Sequence, residues 1–289
     1  MTGFVYDADK VADLAVAVLA RDLVLPQTVT RVPGVEYRGS GGSVKLRVPQ
    51  RRTAKSRGSA GDPIDYVGID ETPVTLSVEH FYDATALTDE DATLVLVDFA
   101  RQILAPMTAG LAELAEGSLA TAMNGVTPNF GWTDAADPEK VDIDILEARR
   151  QLVANDVPAV GRFLVVSPSI AAVCFQLDKF VRADASGSDT ALRDATLGRI
   201  YGLQVVESNG IEDGTALVFQ QAGFVFASLA PANPQGAAQS AAATDSGISL
   251  RVLFDFDPGV LSDVCVLSTF AGAAVVDADR VVRIADESS

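Results

Sequence analysis

A single histidine, His80, serves all 289 residues. That scarcity removes most zinc sites and nearly all histidine-based acid–base chemistry. Cysteine is almost as rare: Cys174 and Cys265 both fall in apolar, strand-like runs and are too few for a disulfide framework. Basic side chains are outnumbered, with 22 Lys and Arg against 39 Asp and Glu. The resulting net charge of −17 opposes general affinity for nucleic acid or anionic lipid. No apolar run reaches the roughly 18 residues that a membrane-spanning helix needs. Asp7, Asp9 and Asp13 stand where an export signal needs positive charge, so the chain reads as not secreted. What is plentiful is apolar material, 48% of the chain, enough for a sizeable core in one large domain or two modest ones.

Along the chain, Val11, Leu14, Ala15, Val18 and Leu19 line one face of a helix over 7–23, capped by Asp7 or Asp9 and stopped by Pro26. The next stretch is polarised. From Arg31 to Arg57 there are eight basic residues and one acid, Glu36, whereas from Gly58 to Ala100 there are ten acids and no Lys or Arg. Val44, Leu46 and Val48 alternate with Lys45, Arg47 and Pro49, and Val74, Leu76 and Val78 alternate on the way back. Residues 42–78 therefore read as a long two-stranded arm with a basic, glycine-rich tip. An isolated hairpin is marginal in water, so this arm needs support from outside its own subunit.

Thr88 then caps a helix over about 88–124, with Leu96, Phe99, Ile103, Met107, Leu111, Leu114 and Met123 at helical spacing and Asn124-Gly125 as the stop. At 1.5 Å per residue it spans about 54 Å, a spine bent at Pro106. Residues 141–230 mix helices and strands, which fits a compact module with both. The helix in 141–158 points Ile145, Leu146, Ala148 and Leu152 inward. Residues 231–248 are small, polar and without period, so they read as an exposed loop in which deletion of 236–244 is tolerated. Three strand-like runs close the chain, with the strands near 72–87 as partners.

Chemistry is hard to find. No G-x-S-x-G elbow occurs, and His80 sits in an alternating strand, where it reads as structural. The cluster GSGGSVK lacks the G-K-[ST] ending of a phosphate loop and precedes strands. The pairs Asp142/Asp144 and Asp255/Asp257 lack the pattern of a calcium loop and read as solvated faces. No enzyme activity, cofactor or metal is expected. The basic residues of the arm are Lys45, Arg47, Arg51, Arg52, Lys55 and Arg57. No aromatic lies between Val44 and Arg57, so they do not form a stacking surface for nucleic acid. Their complement is protein: Asp62, Asp65, Asp70, Glu71, Asp89, Glu90 and Asp91 on a neighbouring copy.

The order of pieces resembles the major capsid proteins of tailed double-stranded DNA phages, the Hong Kong 97-type fold. The stretches ETPVTLSVEHFYDATALTDEDATL, LRDATLGRIYGLQVVESNGI, ALVFQQAGFVFA and FAGAAVVDADRVVRI carry the likeness, which covers nearly the whole chain. The resemblance implies an α+β fold with an N-arm (1–38), an E-loop hairpin (39–71) and a P-domain (72–140 with 246–289) around the spine helix. A compact A-domain (141–245) completes it. It further implies a structural coat protein that assembles as hexamers and pentamers into an icosahedral head around DNA bound without sequence specificity. Assembly would occur in the bacterial host cytoplasm, with no membrane. The chain shows no long charged helical extension at its N-terminus, so the expected partners include a separate scaffolding protein and a portal, with a decoration protein left open. Lys55 has no matched Asn or catalytic Glu for the cross-link some relatives form, so none is expected. The alternative within the same fold is an encapsulin-like nanocompartment shell.

Overall fold

The computed structural model describes residues 7–33, 43–49, 54, 56, 66, 68, 71–88, 99–177, 198–259 and 261–286. Helix α1 (Ala8–Asp22) starts at Asp7, whose carboxylate accepts a hydrogen bond from the Asp9 amide. Its buried stripe is Ala8, Val11, Ala12, Ala15, Val16 and Leu19, while Leu14 is 47% exposed. The inward face is thus rotated from the expected one, because the small Ala12 lets α1 lie close on its neighbours. Strand β1 (Thr30–Pro33) follows, then the arm strands β2 (Ser43–Pro49) and β3 (Glu71–Ser77), and β4 (Glu79–Thr88).

The described part of the spine begins at Phe99 with a π-helical turn, Ala100–Leu104, in which the Ala105 amide reaches back to the Ala100 carbonyl. Pro106 lies just beyond, at the start of α2 (Ala105–Asn124). Its ring has no N–H and crowds the carbonyl four residues back, so the helix widens there. The expected disturbance at Pro106 takes this form. The segment 89–98, to which the spine was expected to extend, lies outside the described residues.

Helix α3 (Pro138–Ala154) buries Ile145, Ala148 and Leu152 completely; Leu146, expected inward, is 37% exposed. Strand β5 (Arg162–Val166), α4 (Pro168–Cys174), β6 (Arg199–Ile200), β7 (Leu203–Glu207), β8 (Ala216–Gln220) and β9 (Phe224–Leu229) come next. Residues 239–245 are not loop. They form β10 (Gln239–Asp245), paired antiparallel with β11 (Ile248–Asp257), and Ala241 and Ala243 enter the core. Ser246 and Gly247 both have positive φ, 50° and 80°, a two-residue turn of the kind that matches hairpin twist. Alanine methyls carry too little hydrophobicity for their alternation to register as a strand; the Ser-Gly pair was the usable signal. Strands β12 (Ser262–Val275) and β13 (Val281–Ile284) close the chain.

Two sheets result. The first has the order β1-β9-β12-β11-β10, with β4 on the other side of β12; the second runs β13-β8-β5-β7-β6. The expected pairing of the closing strands with the region 72–87 is realised as β4 against β12, from Ser262↔Thr88 to Ala271↔Glu79. The sheets cut across the expected segments: β9 and β10, within 141–245, belong to the first sheet, and β13, within 246–289, completes the second.

Alternation explains the layering. In the second sheet Leu164, Val166, Val218, Val282 and Ile284 face α3 and α4, while Val165, Leu217, Phe219 and Val281 face α2 and the first sheet. Phe219 meets Phe224 edge-on at 5.1 Å across that junction. The fold is α+β, with α1 and α2 on one face of the first sheet.

Candidate assembly surface

The arm is the feature with the fewest internal supports. β2 and β3 are paired from Ser43↔Ser77 at the root to Pro49↔Glu71 at the outer end. At the root Leu76 is fully buried against Val225 and Ala227, with Leu46 and Val78 packed beside them. Further out Glu71, Pro73 and Thr75 are exposed, and of the described residues beyond them Tyr66 is 93% exposed. Gly272 of β12 makes the root possible. A Cβ built there would lie 2.0 Å from the Ser77 carbonyl oxygen and 3.0 Å from the Val78 Cα. No side chain fits between β12 and the crossing arm.

Of the basic residues expected at the intersubunit contact, Lys45 and Arg47 stand on β2 opposite Thr75 and Pro73. Their side chains, and the whole of Arg51, Arg52, Lys55 and Arg57, lie outside the described residues. So do Asp62, Asp65, Asp70, Asp89, Glu90 and Asp91. Glu71 is described, exposed, and sits on the arm itself opposite Pro49.

An open groove of about 1140 Å³ runs along the outer side of α2. Its floor includes Ala109, Ala112, Glu113, Glu116 and Gly117; Glu79 and Phe81 of β4, Val24, and the loop Glu207–Gly210 form its sides. Four glutamates line it and no lysine or arginine does. Glu116 accepts a hydrogen bond of 2.8 Å from the Leu25 amide and so fastens the end of α1 to α2. Glu79, Glu113 and Glu207 are exposed, with no cationic partner among the described residues. Sequence reasoning missed this groove because its acids come from three distant segments.

A second tie sits at the C-terminal end of α2. The nearly buried Arg283 of β13 donates to the carbonyls of Asn124 and, at 2.8 Å, Val126, and pairs with Glu212. Asn124 in turn donates to the Gly210 carbonyl and accepts from the Glu212 amide. Carbonyls left open by the ending helix are thus satisfied by the second sheet.

The residues with chemical potential are occupied structurally. The His80 ring stacks on Phe270 at 4.6 Å. Asp142 and Asp144, expected on a solvated face, are each 6% exposed. Asp144 accepts from the amide and hydroxyl of Thr133, and Asp142 accepts from the Tyr201 hydroxyl at 2.6 Å. These bonds repay the burial that a bare carboxylate could not sustain. Asp255 and Asp257 are exposed as expected. Burial pushes the Cys174 and Cys265 thiols up to about 12, which makes them poor nucleophiles. Among the described residues no three His, Cys, Asp or Glu side chains gather in a way that would hold a metal ion.

The sequence matches the model of a family described as phage capsid protein over residues 71–276, well over half of the chain. The chain belongs to the phage capsid protein family. Solved structures similar to this capsid protein include one from Mycobacterium phage Che8, at 22% identity and a TM-score of 0.66, covering 91% of this chain and 90% of the other. The capsid of cyanophage P-SCSP1u aligns at 15% identity and a TM-score of 0.61, covering 90% and 86%. The virus-like particle from Pyrococcus furiosus aligns at 10% identity and a TM-score of 0.56, covering 95% and 97%. No curated protein matches the sequence. The fold is that of the Hong Kong 97-type capsid subunits, as the sequence resemblance implied. The capsid protein is a major capsid protein, a structural subunit of a homo-oligomeric virion shell.

Proposed function

We propose that this capsid protein assembles as hexamers and pentamers into an icosahedral phage head that encloses double-stranded DNA. The arm, residues 39–71, is its E-loop and lies over the adjacent subunit. The observation that carries this reading is the arm's construction: a root locked under Leu76 and over Gly272, and an outer half that is exposed on its own subunit. Such a hairpin gains its stability from a surface on another copy. The first sheet with α2 serves as the P-domain, the second sheet with α3 and α4 as the A-domain, and 1–38 as the N-arm. The net charge of −17 keeps the inner wall from gripping packaged DNA. Assembly takes place in the bacterial cytoplasm with a separate scaffolding protein and a portal as partners, and the subunit performs no catalysis.

The likeness to the Pyrococcus furiosus virus-like particle supports a second reading, a nanocompartment shell that holds protein cargo. The match to the phage capsid family weighs against it. Electron microscopy of the protein expressed alone, and then with the scaffolding protein, tests the assembly. Closed shells of uniform size are expected, and nucleic acid or cargo enzyme inside native particles separates the two readings. Reversing charge at Arg51, Arg52 and Arg57 is expected to block shells while leaving a folded monomer. Normal particles from that triple variant would remove the basic arm from its assembly role.

A further inference from the structure

We propose that the groove along α2 of one subunit is the seat of the basic segment 50–58 of a second copy. This rests on the reading of 39–71 as an arm laid on a neighbour, and names the surface that receives it. The groove is an unpartnered helix face with room for a peptide, since about 1140 Å³ in an open trough exceeds what small-molecule sites usually enclose. Its lining has one sign of charge, from Glu79, Glu113, Glu116 and Glu207. The segment QRRTAKSRG has the other sign only, with Arg51, Arg52, Lys55 and Arg57 and no acid. In an extended chain the first and last of these cations stand about 20 Å apart, a stretch suited to a trough rather than a single pocket. Leu114, 49% exposed, and Val24, 44% exposed, give the edge apolar ground for the aliphatic stems of the arginines and lysine.

The occupant comes from another copy because of how the arm is built. Glu79 lies two residues past the root at Ser77, whereas Pro49 and Glu71 mark the outer end of the paired strands. Six residue steps of strand separate root and outer end by about 20 Å, so the basic segment starts that far from its own groove. Opposite charges along the two surfaces then set register and hasten encounter between subunits, an effect that salt weakens.

The test is a mixed assembly in which some full-length subunits carry only Arg52→Cys and others only Glu113→Cys, with the scaffolding protein present. The native thiols are buried and do not interfere. Mild oxidation is expected to give a covalent dimer containing one of each subunit, and neither variant alone is expected to give it. A cross-link confined to single chains carrying both substitutions would overturn the proposal. If Arg52→Cys instead joins a neighbour at a site away from the groove, the groove is wrong and the arm reading stands. If position 52 joins no other subunit in closed shells, the arm reading fails as well. For unmodified subunits, amide exchange across 109–121 is expected to slow at least tenfold on assembly. Unchanged exchange in closed shells would overturn the proposal even if the cysteine variants fail to assemble.

Discussion

Replacing Gly272 by alanine places a methyl carbon 2.0 Å from the Ser77 carbonyl oxygen, with the Ser77 carbonyl carbon and Val78 Cα each at 3.0 Å. Carbon and carbonyl oxygen normally approach no closer than about 3.3 Å. The arm root must therefore lift by roughly 1.3 Å, and the obstacle is backbone, which cannot rotate away as a side chain can. Overpacking of this type costs about 1–3 kcal/mol. Lifting Ser77 also draws Leu76 from its fully buried seat against Val225 and Ala227, which adds up to about 2 kcal/mol of lost apolar burial. A total near 2–5 kcal/mol lowers the unfolding midpoint by about 5–15 °C for a chain of this size. Thermal and urea unfolding of unassembled Gly272→Ala subunits measures this, with Gly117→Ala as the opposite case. Nothing lies within 4 Å of a Cβ at Gly117, inside α2, so alanine there is expected to stabilise by about 0.5–1 kcal/mol. A Gly272→Ala subunit with an unchanged midpoint, and an arm root that exchanges its amides no faster, would refute the close-approach argument.

Arg283→Met removes the donors that close the end of α2 and is expected to cost about 2–4 kcal/mol in urea unfolding. Most of that loss comes from the two carbonyls, since Glu212 is largely exposed. Ala241→Asp buries an unpaired carboxylate between β10 and α1 and is expected to cost about 3 kcal/mol or to yield insoluble protein. Deletion of 236–244 is expected to fail in the same way, contrary to what an exposed loop would tolerate. At pH 8 a thiol at about 12 is ionised in roughly one part in ten thousand. Cys174 and Cys265 are therefore expected to react with a thiol reagent over a thousandfold slower folded than in urea, and fast labelling of folded protein would contradict their burial.

Features with a short period and strong hydrophobic contrast were legible in the sequence. Val44, Leu46 and Val48 against Val74, Leu76 and Val78 announce the arm, and the helix over 105–124 shows at once. Weak contrast hides elements: Ala241 and Ala243 define β10 without looking apolar among their neighbours. Local pattern also misjudges charge. Asp142 and Asp144 look solvated until Tyr201 and Thr133, from other segments, supply their donors. Sheet membership is non-local by nature, and nothing near Val281–Ile284 says that this strand adds to β8 at the edge of the second sheet. The groove on α2 suffers the same blindness, because Glu79, Glu113 and Glu207 converge only in three dimensions.

Strand β12 bonds to β4, β11 and β9, yet its residues, 262–275, are among the last to be translated. While the ribosome is still elongating, β4 has no partner strand among the described residues, and the bed on which the arm rests, centred on Gly272, has not been made. An emerging chain therefore holds its arm without a foundation until synthesis is nearly over. At about 5–20 residues per second, the interval from the end of β4 to the end of β12 is roughly 10–40 s. A truncated subunit that ends before β12 has no rooted arm to offer its neighbours. Late arrival of the central strand thus acts as quality control, withholding a place in the lattice from unfinished chains.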